Sequence, residues 1–317
     1  MNRTVLAALL LLPGCVTPGM SRPSPMVPDD LEPAVTQMTA GRSGADRDPE
    51  ISRDGSTLFY ASSAHGDRFD LYAKSVGSTT TTRLTSTPGD KRFPRVSPAN
   101  PRMLAFCTNE RGSWELCLVQ DYVDGPSKVV VLSDPGTDNL HPAWSPDGKQ
   151  IVYCSTHAGA GGEWVLKIKD LASGTTHVLE DVDGLLPDWS PAGNRIVFQR
   201  MKRRDNWLSS IWTLDFENGA ARNVTSIFAS DDWAAINPAW SPDGRRVVFA
   251  TVGKSRARAG VMSEADDLWI VGVDGLNATR VTTSPAADWM PCWSSDGRIY
   301  FTSDRSGSPR LWSLAAP

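Results

Sequence analysis

One sequence feature constrains the fold more than any other: the stretch HPAWSPDG at residues 141–148 recurs in variant form along the whole chain. The prolines that mark the six copies follow one another at steps of 45, 48, 45, 51 and 53 residues. Most helical solenoid repeats are shorter, whereas the blades of a β-propeller recur roughly every 40 to 50 residues. The spacing therefore predicts six similar units in series. The other five copies are DPEISRDG at 48–55, FPRVSPAN at 93–100, LPDWSPAG at 186–193, NPAWSPDG at 237–244 and MPCWSSDG at 290–297.

Each copy predicts a β-hairpin. An extended run ends at Trp144, the Ser-Pro-Asp-Gly segment has proline and glycine where a tight turn favours them, and the apolar run IVYC at 151–154 leads away. A third strand such as DLWIV at 267–271 and a fourth such as TRVT at 279–282 follow in most units. Four strands in each of six units predict an all-β fold, a six-bladed β-propeller of four-stranded antiparallel blades.

The two ends of the chain supply a further prediction. The sixth unit has its third strand at 310–314 and only three residues after it, so it lacks a fourth strand of its own. The segment VTQMT at 35–39 precedes the first copy by a similar distance to that between TRLT at 82–85 and the second copy. We expect this N-terminal segment to complete the last blade and close the ring, which leaves no unpaired inner edge.

Two columns of residues recur in equivalent positions. The first strands carry Trp144, Trp189, Trp240 and Trp293, which we interpret as wedges between blades. On the opposite face of those strands, Glu50 and Arg95 occupy equivalent positions in neighbouring blades, and we expect them to form an ion pair. The third strands give a second, mainly aromatic column, namely Tyr72, Cys117, Val165, Trp212, Trp269 and Trp312.

The N-terminal residues predict export. Residues 1–14 contain Arg3 and a short apolar run typical of a signal peptide, and they lead into LPGC, which resembles the bacterial lipobox. The resemblance implies lipid attachment at Cys15, and the absence of Asp at position 16 is similar to the pattern retained at the outer membrane. The alternative is a secretory signal without lipidation. Residues 15–33 are rich in proline and predict an extended tether, so the propeller is expected over 34–317.

The repeats resemble those of a known family. The boxes P-x-W-S-P-D-G with the apolar runs that follow them, and TSDRSG at 302–307, are similar to the propeller repeats of the TolB family. The resemblance covers roughly 34–317 and implies a periplasmic interaction scaffold, here without the α/β domain that precedes the propeller in TolB. We therefore expect a non-catalytic, lipid-anchored protein at the periplasmic face of the outer membrane. Its expected ligand is an envelope protein or peptide, and it is expected to be a monomer.

Loops between the fourth strand of one blade and the first strand of the next are predicted to surround one mouth of the central tunnel. They hold nearly one acidic residue per blade, and His141 lies at the start of the first strand of the third blade. Such a ring has the charge to hold a cation or a basic peptide end. The alternative is that aspartate is simply favoured in turns, where it binds nearby backbone. The candidate tunnel-mouth residues are Asp48, Asp90, Asp138, His141, Asp183, Asp232 and Asp288.

Loops between second and third strands lie at the same mouth and are longest in the fourth and fifth blades. They predict a basic rim able to dock an acidic partner or an anionic polymer. The alternative is a pair of solvated loops without a partner. The rim residues are Lys202, Arg203, Arg204, Lys254, Arg256 and Arg258.

Enzyme signatures are weak. The sequence contains no G-x-S-x-G or H-E-x-x-H motif, and GKS at 253–255 lacks the earlier glycine of a phosphate loop. We predict no catalytic residue, no metal and no cofactor. The alternative is a metal-dependent hydrolase or lyase acting on a carbohydrate or lactone, with Asp138, His141 and His157 converging in the third blade.

Charge and cysteine content narrow the remaining choices. The net charge of −4 and the pI of about 5.6 provide no basic field for nucleic acid, whose binding depends on phosphate neutralisation. Cys107 and Cys117 lie on consecutive predicted strands, and an exported protein can oxidise such a pair. Buried free thiols are the equally open alternative.

Overall fold

Each copy of the repeat folds into one four-stranded antiparallel sheet, and six such sheets form the ring. This computed structural model describes residues 33–41, 43–123, 129–156, 164–201, 208–253 and 267–317. Every regular element in those ranges is a β-strand, so the predicted all-β, six-bladed propeller is confirmed. No helix in the same ranges is long and apolar enough to cross a bilayer.

The first three blades follow one another along the chain. Blade 1 contains β2 (Asp46–Ile51), β3 (Thr57–Ser62), β4 (Asp70–Ser75) and β5 (Thr82–Arg83). Blade 2 contains β6 (Lys91–Val96), β7 (Leu104–Thr108), β8 (Glu115–Val119) and β9 (Val129–Val131). Blade 3 contains β10 (Asn139–Trp144), β11 (Gln150–Thr156), β12 (Trp164–Asp170) and β13 (Thr176–Asp183).

The second half repeats the pattern and closes the ring with β1 (Thr36–Gln37). Blade 4 contains β14 (Leu185–Trp189), β15 (Arg195–Met201), β16 (Ser209–Glu217) and β17 (Ala220–Phe228). Blade 5 contains β18 (Trp233–Trp240), β19 (Arg246–Gly253), β20 (Asp267–Gly272) and β21 (Thr279–Arg280). Blade 6 contains β22 (Asp288–Trp293), β23 (Arg298–Ser303), β24 (Arg310–Ala315) and β1.

Ring closure by the N-terminal segment is confirmed. Strand β1 pairs with β24 through Thr36 opposite Ser313 and Gln37 opposite Trp312. The pairing continues beyond the strand, because Met38 N donates to the Leu311 carbonyl at 2.8 Å and Leu311 N donates to Thr39 Oγ1 at 3.0 Å. The last blade is thus assembled from both ends of the propeller.

The Ser-Pro-Asp-Gly turns are held by their own side chains. In blade 3, Ser145 Oγ donates to Asp147 Oδ1 at 2.7 Å, and the same carboxylate oxygen accepts from Lys149 N at 3.1 Å. Ser145 Oγ also accepts from Gln150 N at 2.9 Å, and Gly148 has a φ of 70° that favours glycine. The first strand of each blade is its inner strand, next to the central tunnel. These turns follow the ends of the inner strands, and we call this end of the ring the turn face. The opposite end, where the inner strands begin, is the loop face.

The tryptophans of the inner strands pack between blades, as expected. Trp240 is 4% exposed and lies in a core cluster with Val197 and Phe228 of blade 4. Its Nε1 donates to the Asp188 carbonyl of the same neighbouring blade at 3.1 Å. Trp144 similarly donates across a blade boundary, to the Arg95 carbonyl at 2.9 Å. Trp144 and Trp240 therefore join neighbouring blades by hydrogen bonds as well as by packing, whereas the indole of Trp189 donates within its own blade, to the Gly193 carbonyl at 3.0 Å.

The second predicted column, formed by equivalent positions on the third strands, is correct in five blades and wrong in one. Tyr72, for example, lies opposite Tyr60, and Trp212 lies opposite Phe198. In blade 3 the residue opposite the equivalent Tyr153 is Lys167, whereas the predicted Val165 lies opposite Ser155. The column position predicted in this strand therefore lies two residues before the observed one. Because side chains alternate between the two faces of a strand, Val165 and Lys167 still lie on the same face.

Disulfide formation between Cys107 and Cys117 is the wrong alternative. Both are buried free thiols, as are Cys154 and Cys292. On the paired strands β7 and β8, Cys107 lies opposite Leu116 and Cys117 lies opposite Phe106, so the two cysteines are out of register by one residue. Successive strand residues point to opposite faces, which directs the two thiols away from each other.

Candidate functional site at the central tunnel

Six residues with a left-handed backbone conformation form a ring around the middle of the tunnel. In every inner strand, the residue before the proline of the repeat has a positive φ, between 47° and 56°. The register with the second strand shifts at the same point in each blade, which is the mark of a β-bulge. A residue before proline is disfavoured in the right-handed helical region, and the bulge places it in the left-handed one. The six residues are Asp48, Phe93, His141, Leu186, Asn237 and Met290.

The bulges narrow the tunnel to a waist. A cavity of about 20 Å³ remains there, enough for roughly one water molecule. Arg95 lines both this cavity and the larger cavity at the turn face, so it lies between the two. The lining residues are Pro49, Arg95, His141, Leu186, Pro187, Asn237, Pro238, Met290 and Pro291.

His141 belongs to this waist. Its Nδ1 lies 3.4 Å from Cys154 Sγ, and its ring centroid is 4.1 Å from that of Phe93. Burial lowers the pKa of His141 to about 3, and the nearby guanidiniums of Arg95 and Arg92 act in the same direction against the opposing Asp48. The imidazole is therefore neutral at pH 7.

The most deeply buried acids of the loop face are engaged by arginines. Asp48 accepts hydrogen bonds from Arg92 Nε and from Arg92 Nη2, the latter at 3.0 Å, and from Phe93 N at 3.3 Å. Burial acts to raise the pKa of Asp48, but the Arg92 pair and these hydrogen bonds outweigh it and lower the pKa. Asp288 accepts two hydrogen bonds from Arg305 Nη2, at 3.0 and 2.9 Å, yet burial raises its pKa.

The remaining loop-face aspartates are spread over several roles. Asp90 accepts from Phe69 N and Asp138 from Trp114 N, both at 2.9 Å, so each ties the start of one blade to the loop of the blade before it. Asp183 pairs with Arg200 at 2.6 Å, and Asp232 is exposed. Backbone binding, the alternative reading of such aspartates, accounts for Asp90 and Asp138. Within the described ranges, no three His, Cys, Asp or Glu side chains form a group suited to a metal ion.

Several predicted residues lie outside the described residues. These are the proposed lipid attachment residue, the third member of the proposed histidine site and the whole basic rim. They are Cys15, His157, Lys202, Arg203, Arg204, Lys254, Arg256 and Arg258.

The turn-face mouth of the tunnel opens into a cavity of about 420 Å³. The predicted pair lies in its lining, since Arg95 Nη1 is 3.6 Å from Glu50 Oε2 and the expected contact is confirmed. Asp188, from blade 4 on the opposite side of the ring, joins them there. Burial raises the pKa of Glu50 to about 7, and the Asp188 charge adds to the effect against the opposing Arg95.

Asp188 is fixed by the adjacent wedge. Its Oδ2 accepts from Trp240 N at 2.8 Å, and its own carbonyl accepts from the indole of the same residue. Burial raises the pKa of Asp188 above its ordinary value. The sequence predicts the pair of Glu50 and Arg95 but not the third member, Asp188, because equivalent positions in a repeat do not show which residues face a common cavity across the ring.

A second large cleft lies at the ring closure, between the N-terminal segment and blade 1, with a volume of about 570 Å³. Tyr72 Oη lies 3.0 Å from His65 Nδ1, and Lys74 Nζ donates to the Met38 carbonyl at 2.7 Å. Burial lowers the pKa of Lys74. Since Lys74 binds the segment that follows β1, this cleft belongs to the closure of the ring.

Comparison with known proteins places these features in context. A family model described as the TolB beta propeller domain matches residues 23–211, 118–258 and 185–317. The Tol-Pal system protein TolB of Anaeromyxobacter sp. (strain K) is 32% identical over 190 residues, which is 60% of this chain and 29% of that protein. The chain thus matches less than a third of the length of this curated relative.

Solved structures show the same architecture. A protein assigned as TolB from Agrobacterium tumefaciens has a TM-score of 0.62 at 21% identity, covering 86% of this chain and 91% of that one. TolB from Acinetobacter baumannii has a TM-score of 0.59 at 16% identity, covering 83% and 64%. An oligogalacturonate lyase from Vibrio parahaemolyticus has a TM-score of 0.60 at 15% identity, covering 91% and 95%. At such identities the likeness shows the fold alone.

Proposed function

Because this chain belongs to the TolB β-propeller domain family, we propose that it is a non-catalytic binding module of the bacterial envelope that holds a protein or peptide partner at the loop face of its tunnel. The observation that carries the proposal is the family match, whose three segments together run from residue 23 to residue 317. Proteins named for the Tol-Pal system are its relatives, so components of that system are the first partners to test.

The loop face has the chemistry of a fixed docking surface. The Asp48 and Asp288 carboxylates are held by Arg92 and Arg305, so the surface around them is preorganised before a partner arrives. Exposed Asp232 adds a charge that a basic group of a partner can reach. The basic rim defined above would add an acidic-partner surface on the neighbouring loops, and it remains a prediction.

Capture in intact cells tests this function. Proteins crosslinked to the wild-type chain are compared with those crosslinked to a variant in which all six rim residues are replaced by glutamine. Loss of one specific envelope protein supports docking at the rim, because charge complementarity governs such encounters. A matched control replaces the exposed basic residues Lys149, Arg222 and Arg245, which lie away from the loop face. The same loss in the control contradicts the loop-face assignment.

The proposal places the protein in the periplasm, anchored through a lipid on Cys15. Cys15→Ser prevents lipidation while leaving export possible. We expect the variant to move from the membrane fraction to the soluble periplasmic fraction, whereas the wild-type protein sediments with the outer membrane. A wild-type protein that is fully soluble after cell disruption contradicts the anchor.

The structural similarity to an oligogalacturonate lyase supports a shared propeller fold and assigns no activity to this chain. A metal-dependent hydrolase or lyase is the competing function, and metal analysis of dialysed protein separates the two. A stoichiometric ion that survives dialysis, together with turnover of an oligosaccharide or lactone, would overturn the non-catalytic assignment. Partner capture without either result supports it.

A further inference from the structure

The cleft at the ring closure has the size of a small-molecule site and is separate from the tunnel. It lies between the segment that contains β1, the outermost strand of blade 6, and strand β4 of blade 1. Its volume of about 570 Å³ falls within the roughly 300 to 1,000 Å³ typical of ligand pockets. It shares no lining residue with either tunnel cavity, so it provides room for a ligand of its own.

The charged groups of this cleft leave one cation without a counterion. Apart from tyrosines, the titratable side chains of the lining are Asp46, His65 and Lys74. Asp46 is buried, and the guanidinium of Arg310, 3% exposed and 3.9 Å away, compensates its charge. Lys74 therefore gives the cleft a net positive charge, to which a protonated His65 would add. The balance favours an anionic ligand.

Lys74 also has unused hydrogen-bonding capacity. An ammonium can donate three hydrogen bonds, and within the described residues Nζ has one acceptor, the Met38 carbonyl at 2.7 Å. The nearby Asp70 carboxylate is already paired with Arg83 at 2.5 Å. Burial lowers the pKa of Lys74, which indicates that the ammonium has lost part of its hydration. A carboxylate placed against Nζ would replace that hydration.

Hydroxyl groups form much of the remaining wall. Half of the residues that line the cleft carry one. Thr36 is exposed on the N-terminal side, and Ser78, Thr79 and Thr81 lie in the loop between β4 and β5. Ser78 Oγ accepts from Thr80 N at 3.0 Å, and among the described residues its own proton is left to donate. Such groups both donate to and accept from the hydroxyls of a ligand.

We propose that the closure cleft binds a polyhydroxylated organic carboxylate, a molecule of the sugar-acid class. Its carboxylate accepts from Lys74 Nζ, and its hydroxyls exchange hydrogen bonds with the threonines and serine of the rim. An apolar acid would leave the rim hydroxyls unused, and a neutral sugar would leave Lys74 uncompensated. The site does not depend on the docking function, because it shares no lining residue with the tunnel cavities.

Three cyclohexane-ring probes test the proposal. Quinate carries a carboxylate and hydroxyls, cyclohexanecarboxylate lacks the hydroxyls, and myo-inositol lacks the carboxylate. Calorimetry at pH 7 is expected to show quinate binding about tenfold more tightly than either of the others, because each of those loses one set of hydrogen bonds. Equal binding of cyclohexanecarboxylate would reduce the site to a cationic hollow, and equal binding of myo-inositol would exclude a role for the charge. Either result, or no binding of quinate, overturns the proposal.

One variant tests the carboxylate contact. Lys74→Gln is expected to weaken quinate binding about tenfold, since a charged hydrogen-bond partner is lost. The matched control is Lys169→Gln. Lys169 lies opposite Ile151 on β12 as Lys74 lies opposite Leu58 on β4, and it also donates to a backbone carbonyl, that of Gly174, at 2.7 Å. The control should leave quinate affinity unchanged. Wild-type affinity in a folded Lys74→Gln overturns the assignment.

A second variant leaves the ring closure intact, because Lys74 also holds the segment after β1. Thr79→Val replaces an exposed hydroxyl of the rim by a methyl group. We expect quinate to bind about threefold more weakly and cyclohexanecarboxylate to bind as before, since only quinate loses a hydrogen bond. Circular dichroism verifies that each variant folds. An unchanged affinity for quinate, or an equal loss for both probes, contradicts the hydroxyl contacts.

Discussion

Asp48 at the loop face and Glu50 at the turn face have pKa values that are shifted in opposite directions. At the loop face, Asp48 accepts three hydrogen bonds from Arg92 and Phe93, and its pKa is lowered. At the turn face, Glu50 has one distant arginine and a second carboxylate for a neighbour, and its pKa is raised to about 7. At Asp48, an arginine and a backbone N–H within hydrogen-bond reach outweigh the effect of burial on the pKa, whereas the more distant Arg95 does not outweigh it at Glu50. An arginine contact alone is not sufficient, because the pKa of Asp288 is raised although Arg305 binds it.

The largest effect is expected for the wedge that supports the turn-face cluster. Trp240→Ala removes a 4% exposed indole and its hydrogen bond to the Asp188 carbonyl, so we expect a loss of about 3 to 5 kcal/mol in the free energy of unfolding. Chemical denaturation measures it, with the half-buried Trp293→Ala as a control that should cost less. An unchanged midpoint contradicts the wedge interpretation.

Loss of the loop-face pair comes next. Asp48→Asn leaves the Arg92 guanidinium, 20% exposed, without its carboxylate, and we expect a cost of about 3 kcal/mol at pH 7. Because the folded pKa of Asp48 is lowered, its contribution is present above the ordinary pKa of an aspartate and is lost as the pH falls through the folded value. Urea midpoints measured from pH 7 down to pH 3 check this. Equal free energies of unfolding for the wild type and Asp48→Asn at pH 7 would contradict the stabilising role of the Asp48–Arg92 pair.

The turn face should give a change of opposite sign. Since the folded pKa of Glu50 is raised to about 7, the folded state holds its proton more tightly, and stability falls as the pH rises from about 4.5 to 7. Glu50→Gln is therefore expected to stabilise the protein by on the order of 2 kcal/mol at pH 8 and by nothing below pH 4.5. Denaturation at both pH values measures it. A variant destabilised at pH 8 shows that the Arg95 pair dominates instead.

The smallest effect is expected at an exposed aspartate of the loop face. Asp232→Asn should change the free energy of unfolding by less than about 0.5 kcal/mol, because its side chain is solvated in the folded state. Thermal unfolding beside Asp48→Asn checks it. If Asp232→Asn lowered the free energy of unfolding as much as Asp48→Asn does, the stabilising effect of these aspartates would depend on their position in the ring and not on contact with an arginine.

Much of the fold followed from the repeat. The turn residues, the alternation of the strands and the unpaired third strand at 310–314 predicted the blade number and the closure by Thr36 and Gln37, all confirmed. The failure at Val165 occurred in the strand that carries a lysine, Lys167, and no aromatic residue at the column position. A two-residue displacement preserves the buried face, so hydrophobic pattern alone does not detect it.

The tunnel sites were less accessible to sequence reasoning. Aspartates in the loops look alike in sequence, yet Asp90 and Asp138 bind backbone of the preceding blade, while Asp48 and Asp288 bind arginines. The difference depends on which donor lies beside each carboxylate, and those donors come from other segments of the chain, mostly loops.

The sequence by itself determined the blade count, the wedges and the Glu50–Arg95 contact, because these follow from local turn chemistry and from equivalent positions in neighbouring repeats. Only the tertiary structure decided that each X-Pro step forms a bulge and that these bulges surround a small cavity in the tunnel. It also decided that Asp188, three blades away from Glu50, shares a cavity with it. The physical reason is that closing a ring brings opposite repeats together across its axis, a distance that no local pattern encodes.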